Sequence, residues 1–333
     1  MMVKEVFNEY SNLITEELNK FLDLRFHQLN EINSWPLIIK DHLKLLSNSG
    51  KMIRGGLFLH TYKTLTGDIT PQALKVAVAI ELSQTAILMH DDIIDRDSSR
   101  RGVETFHIWF NKKAKENNIK NSEHLGNGQS ICLGDICFFL TFELLSQSGN
   151  FQIIEEFSKE FSRLGFAEMG DVFLPKKEIE LEDILNIYKH KTAGYTFVLP
   201  IKLAYVLANI NSNEFEDYCY NLGMIFQIKD DYLGLFGDEK TIGKPVGSDI
   251  IEGKKTIFYF YLPEDYKKYF GKKITKNELK LIQDHILTSG IKEKVDLIIK
   301  DLEEKTRLGL DNMRIKDNFL YSELIEYNLN RNK

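Results

Sequence analysis

Apolar residues recur three and four positions apart along almost the whole chain, and no stretch shows the strict alternation of a half-buried strand. Such a chain must bury helix against helix. The period predicts helices over about 3–32, 36–48, 51–66, 71–97, 127–148, 150–173, 181–209, 213–237, 254–262, 275–289 and 291–312, with a short one near the end. Six prolines occur, and five of them punctuate: Pro36 and Pro71 near helix starts, Pro175, Pro245 and Pro263 in connections. Pro200 instead interrupts the pattern from Leu181 to Asn209 and predicts a kink. Lys112–Asn127 is polar and reads as a surface loop or insertion, and Ser47–Gly50 and Gly237–Gly253 read as loops. With no repeat of 20–50 residues, the 333 residues are expected to form a single all-α domain, 1–333.

Charge limits what such a domain binds. There are 43 basic and 49 acidic residues, a net charge of −6, which argues against general nucleic-acid binding. A mildly acidic chain that takes a polyanion needs a local basic cluster and metal ions. Cys132, Cys137 and Cys219 make neither a metal pattern nor an even disulfide set, and their apolar surroundings predict buried thiols. The N-terminus lacks the apolar core of a signal peptide. Glu81 and Gln84 interrupt one apolar run, Asp135 and Glu143 another, so no membrane span is expected and the expected location is cytoplasmic.

The helix pattern that begins at Pro71 runs into Asp91, Asp92, Asp95 and Asp97, with Arg100 and Arg101 just beyond. Residues four apart share a helix face, so Asp91 and Asp95 present two carboxylates side by side. Like charges at that spacing repel, and a bound cation relieves the repulsion. Mg²⁺ takes oxygen ligands and bridges to substrate phosphates, and the two arginines suit phosphate oxygens. The plain alternative is a solvated helix end. A second apolar helical run ending in paired acids, Asp230 and Asp231, shifts the balance toward metal. Two such ends can face one another across one cavity.

Asp91-Asp-Ile-Ile-Asp95 with Arg100-Arg101, and Gln227-Ile-Lys-Asp-Asp231 followed by Gly243-Lys-Pro-Val-Gly-Ser-Asp-Ile250 and Gly253-Lys-Lys-Thr256, resemble the two aspartate-rich motifs of the trans-isoprenyl diphosphate synthases. The resemblance runs from about Gly50 to Thr256. It implies a helical bundle around a central cavity, a homodimer, and a Mg²⁺-dependent prenyltransferase with three ions per active site. Asp91, Asp95 and Asp230 are then the metal ligands, and isopentenyl diphosphate and an allylic diphosphate are the substrates. Gly50-Lys-Met-Ile-Arg-Gly-Gly56 matches the family's Gly-Lys-x-x-Arg-Pro, with Gly55 in place of the proline. Lys51, Arg54, Gln84 and Arg101 would hold the isopentenyl diphosphate, and Arg100, Lys191, Lys244 and Lys254 the allylic one. Thr192 and Gln227 would stabilise the allylic cation with oxygen dipoles. Gly234 sits where a third aspartate would align. His90 reads as a core or supporting residue, and Gly237…Lys244 fails as a phosphate loop because Pro245 stands where Ser or Thr is needed.

Three alternatives stand beside this reading. A class I terpene cyclase needs no second diphosphate site, a non-catalytic subunit would lose motifs kept here, and a structural scaffold leaves the paired charges unexplained. Product length should be set on the helix leading to Asp91. Ser83, Ala86 and Ile87 carry no aromatic, and Ala79, Ser83 and Ala86 form a small-residue stripe that could equally serve close packing. By the resemblance this implies geranylgeranyl diphosphate, with farnesyl or longer products as the alternative.

Overall fold

Residues 3–173, 179–238, 246–313, 315 and 317–331 are described by the computed structural model. Lys244, Pro175 and Pro245 lie outside them. The all-α expectation holds: the described chain is helical apart from loops and a two-residue hairpin. The helices are α1 Val3–Leu29, α2 Trp35–Asn48, α3 Ile53–Thr66, α4 Pro71–Ile94, α5 Phe106–Glu116, α6 Ser122–Ser146, α7 Phe151–Phe173, α8 Leu181–Ile187, α9 Leu199–Leu207 and α10 Glu216–Phe236. Shorter and C-terminal helices follow, chiefly Lys276–Thr288, Ile291–Asn312 and Phe319–Leu329. The chain forms two compact units, Met1–Ile154 with Leu203–Ile210, and Glu155–Lys202 with Asn211–Lys333.

In the first unit α4 packs against α1, α2, α3, α5 and α6. It starts where Thr70 accepts the Ala73 N–H at 3.2 Å and Pro71 occupies the first turn. Val76 to Ile80 and Leu82 to Ala86 are buried in unbroken runs, as expected of a helix apolar on every side. α4 and α6 are each long and apolar enough to cross a membrane, which corrects the expectation that no run reaches that length. In α4, 72% of that window is buried inside the fold, the mark of a core helix; in α6 only 44% is.

The second unit is built on α10, which packs on residues 188–198 and on helix Ile291–Asn312. Pro200 was expected to kink its helix. The irregularity instead falls on the residues before it: Tyr188–Val198 widens into a π-helix, and Leu199 N–H donates to Gly194 O. A proline has no N–H with which to continue the α-helical ladder, and π segments recur at functional sites. Gly223 lets α10 approach this segment closely, since a β-carbon there would lie 2.4 Å from Ala193 Cα.

Other expectations need correction. Lys112–Asn127 is no loop: α5 runs to Glu116 and α6 starts at Ser122. Phe106, Phe110 and Ala114, four apart, bury one face of α5, and its lysines hid that period in the sequence. The loop assigned to 237–253 contains a short helix, Ser248–Glu252. Cys137 and Cys219 are buried as expected, but Cys132 is exposed on the outer side of α6.

Candidate active site

The last turn of α4 closes with Asp95 N–H donating to Asp91 O at 2.8 Å. The chain then reverses through an antiparallel hairpin that pairs Ser99–Arg100 with Val103–Glu104. Its two turn residues, Arg101 and Gly102, have φ of 53° and 77°, the left-handed pair that a tight two-residue turn requires. This turn sends the two arginines to different tasks. Arg100 folds back onto α4, with Nε donating to Asp92 Oδ1 at 2.5 Å and Nη2 to Asp91 Oδ2 at 3.1 Å and Asp97 Oδ2 at 3.2 Å. One guanidinium therefore gathers three carboxylates. Asp92, which sequence reasoning left out of the site, is the buried member; burial pushes it up to about 6, against the pull of Arg100.

Arg101 instead lies against Gly50, where a β-carbon would sit 2.4 Å from its Nη1. Arg101, Arg100, Gln84, Glu81 and Asp92 line one pocket, closed on the α2 side by Ser47 and Ser49. Gln84 is buried, and its Oε1 has no hydrogen-bond partner among the described residues. Glu81 organises the floor. Its Oε1 accepts the Gly55 N–H at 2.7 Å, and burial pushes its carboxyl up while Gly55, Arg54 and Arg101 pull it down. Proline at position 55 would have no N–H to give, so the departure at Gly55 is coupled to Glu81. A glutamate inside an apolar run was the signal that could have found it. Lys51 is exposed and Arg54 half-buried at the start of α3. His90 sits between α4 and α6, with Nε2 3.3 Å from Ile131 O and 3.5 Å from Asp135 Oδ1.

In the second unit Lys191 is held between Glu168 Oε2 at 2.8 Å and Asp171 Oδ2 at 2.6 Å, both on α7. Thr192, beside it on the π segment, donates to Gln227 Oε1 on α10 at 2.5 Å. Gln227 Nε2 donates to Asp231 Oδ1 at 2.8 Å, and the Tyr188 hydroxyl donates to Asp231 Oδ2. Asp231 is buried; desolvation first and then Asp249 hold its carboxyl well above the usual carboxylate range, against the bonds from Tyr188 and Gln227. Asp230 projects differently: it is half-exposed and pairs with Arg331 Nη2 at 3.0 Å, while the Arg331 guanidinium lies 4.1 Å from the Phe226 ring centre. A β-carbon on Gly234 would be 2.9 Å from Asp249 Oδ2, so a carboxylate lies over the position of the missing aspartate. Lys254 pairs with Glu252 at 2.7 Å. Glu168, Asp171, Tyr188, Asp249 and Arg331 escaped the sequence reading because each meets its partner through tertiary contacts.

The donor set fits a hard divalent cation. Asp91, Asp92 and Asp97 already converge on one positive group, and their oxygens are the ligand type Mg²⁺ prefers. Among the described residues no group of three or more His, Cys, Asp or Glu side chains is placed to hold a metal ion by itself.

Comparison with known proteins places the chain in a family. A short chain isoprenyl diphosphate synthase of Methanocaldococcus jannaschii is 32% identical over 274 residues, 78% of this chain and 75% of the relative. A geranylgeranyl diphosphate synthase of Saccharolobus solfataricus is 30% identical over 325 residues, 90% of each. The crystal structure of geranylgeranyl pyrophosphate synthase from Corynebacterium glutamicum, complexed with isoprenyl diphosphate and magnesium, superposes with a TM-score of 0.88 at 26% identity. It covers 96% of this chain and 97% of that one. The polyprenyl synthetase family model matches residues 37–285, through both aspartate motifs and the basic residues between them, and the chain belongs to that family.

Proposed function

We propose that this prenyltransferase joins isopentenyl diphosphate to an allylic diphosphate (dimethylallyl, geranyl or farnesyl) and releases an all-trans prenyl diphosphate, with geranylgeranyl diphosphate as the main product. The observation that carries the reading is the divergence of two adjacent arginines along one pocket, Arg100 onto Asp91, Asp92 and Asp97 and Arg101 against Gly50. Two anion-handling groups side by side suit two diphosphates; a terpene cyclase needs only one.

Asp91, Asp95 and Asp230 would hold Mg²⁺, three ions in all, and the metal would supply positive charge to offset that growing on the leaving diphosphate. Arg100, Lys191, Lys244 and Lys254 bind the allylic diphosphate. Lys191 must leave Glu168 and Asp171 to do so. Lys51, Arg54, Gln84 and Arg101 set the double bond of isopentenyl diphosphate against the allylic carbon. The C–O bond breaks, the new C–C bond forms at the allylic cation, and a proton leaves to restore a double bond. Thr192 and Gln227 turn oxygen dipoles toward the cation, and departed diphosphate takes the proton. The single domain expected from the sequence, 1–333, is retained in this reading.

Steady-state kinetics test the two-site assignment. Lys51→Ala and Arg54→Ala should raise the KM for isopentenyl diphosphate about tenfold or more, as loss of a charged hydrogen bond does. Lys191→Ala should act on the allylic substrate. The reverse pattern would overturn the assignment.

Length rests on Ala86, fully buried one turn and a half before Asp91. Ser83 is buried as well, its hydroxyl spent on Ile80 O at 2.7 Å, and Ile87 is half-buried. One helical turn rises about 5.4 Å, close to one isoprene unit. Ala86→Phe should therefore shift the main product, separated by chromatography, from geranylgeranyl toward farnesyl diphosphate. An unchanged product from a folded, active variant would show that Ser83 and Ala86 serve packing alone.

The exposed face of α6 supports a homodimer. Ile131, Ile136 and Phe139 are 45%, 42% and 74% exposed along this one helix, and grouped exposed apolar side chains mark association surfaces. Phe139→Asp should halve the mass measured by light scattering, and a wild-type monomer at micromolar concentration would refute the dimer. We read the protein as cytoplasmic, with α4 and α6 as packed helices and no nucleic-acid partner.

A further inference from the structure

The hydrogen bonds behind Thr192 run in one direction, and the backbone sets that direction. Ile257 N–H donates to the Tyr188 hydroxyl oxygen at 2.8 Å. A backbone N–H can only donate, so the hydroxyl hydrogen of Tyr188 must point elsewhere, and it points to Asp231 Oδ2. The other oxygen of Asp231 accepts from Gln227 Nε2 at 2.8 Å. That contact settles which end of the Gln227 amide faces Asp231, and so leaves Oε1 for Thr192. Thr192 Oγ1 lies 2.5 Å from that Oε1 and donates its only hydrogen there. The lone pairs of the Thr192 hydroxyl are then left to face away from Gln227.

We infer that Tyr188 and Asp231 are positioning residues that fix the polarity of Thr192, so that it presents lone pairs rather than a hydrogen to the allylic cation. The inference rests on the proposed function, which puts that cation beside Thr192. It gives the two neighbouring aspartates separate tasks. Asp230, half-exposed, is the open carboxylate; Asp231, buried with both oxygens receiving donors, orients the relay and is not a metal ligand. The relay joins three elements of the second unit: the helix starting at Ile257, the π segment and α10. The π-helical widening places Tyr188 and Thr192, four apart, where both reach α10.

Asp231→Asn reverses the relay without changing its shape. The hydrogen of Tyr188 still needs an acceptor, so the new amide turns its oxygen there and its NH₂ toward Gln227. Gln227 must then flip, and it offers Nε2 to Thr192. The Thr192 hydrogen is released toward the cation, which it repels. The expected result is a fall in kcat of at least tenfold, with KM for both diphosphates and the Mn²⁺ dissociation constant from calorimetry within twofold of wild type. In a Thr192→Val background, Asp231→Asn should cost less than threefold, because no hydroxyl is left to misdirect. Tyr188→Phe leaves Asp231 an acceptor for Gln227, so alone it should lower kcat less than Asp231→Asn does; in its background the amide of Asp231→Asn can turn its oxygen to Gln227, and the cost of Asp231→Asn should shrink.

A tenfold loss of Mn²⁺ affinity in Asp231→Asn would make Asp231 a metal ligand and overturn the relay. Additive losses with Thr192→Val, or wild-type kcat in Asp231→Asn, would overturn it as well. A wild-type enzyme that elongates no allylic substrate would instead overturn the proposed function beneath it.

Discussion

Asp91→Ala should lower turnover by about 10³-fold, the equivalent of about 4 kcal/mol of transition-state stabilisation. In the proposed mechanism, loss of this carboxylate removes a ligand to the metal that would offset charge on the leaving diphosphate. The fold should survive, because Arg100 keeps Asp92 and Asp97 when Asp91 is gone. Asp91 also carries part of the like-charge repulsion at the end of α4, so its loss relieves strain there. Helix content by circular dichroism should be unchanged and the melting temperature equal or higher. Asp95→Ala should behave alike. Near wild-type turnover at saturating Mg²⁺ in either variant would remove Asp91 or Asp95 from the metal site.

Gly223→Val should destabilise the protein by about 3 kcal/mol, at the upper end for overpacking. A β-carbon at position 223 would lie 2.3 Å from Ala193 Cβ and 2.4 Å from its Cα, and backbone cannot turn aside as a side chain can. Relief requires α10 to move off the π segment. Gly223 is one turn before Gln227, and Ala193 is next to Thr192, so the same movement opens the 2.5 Å contact between Thr192 and Gln227. Urea unfolding should show a lower midpoint at unchanged slope, and kcat should fall in the remaining folded enzyme. A variant as stable as wild type would mean that α10 and the π segment are not in close contact.

The helical period was enough to read the fold class, because burial in a helix repeats every three to four residues and the chain follows that rhythm. It failed where polarity masked the rhythm: α5 buries Phe106, Phe110 and Ala114 behind exposed lysines. It failed also at Pro200, since a proline marks a break in the ladder without saying how the preceding turn accommodates it. The candidate site divides in the same way. Asp91, Arg100 and Arg101 are legible because they are near in sequence and their spacing has a geometric meaning. Tyr188, Asp249 and Arg331 are not, for their roles come from partners 43, 15 and 101 positions away: Asp231, Gly234 and Asp230. Glu81 lies between these cases. Its charge in an apolar run signals a buried partner, but only the folded chain identifies that partner as the Gly55 N–H.

The central claim is condensation of two diphosphates, and one assay decides it. The purified protein is incubated with Mg²⁺ and a labelled allylic diphosphate, with and without isopentenyl diphosphate, and the products are separated by chain length. The account predicts label in longer prenyl diphosphates only when both substrates and the metal are present. A cyclised hydrocarbon formed from the allylic substrate alone, or no conversion under any of these conditions, would contradict it.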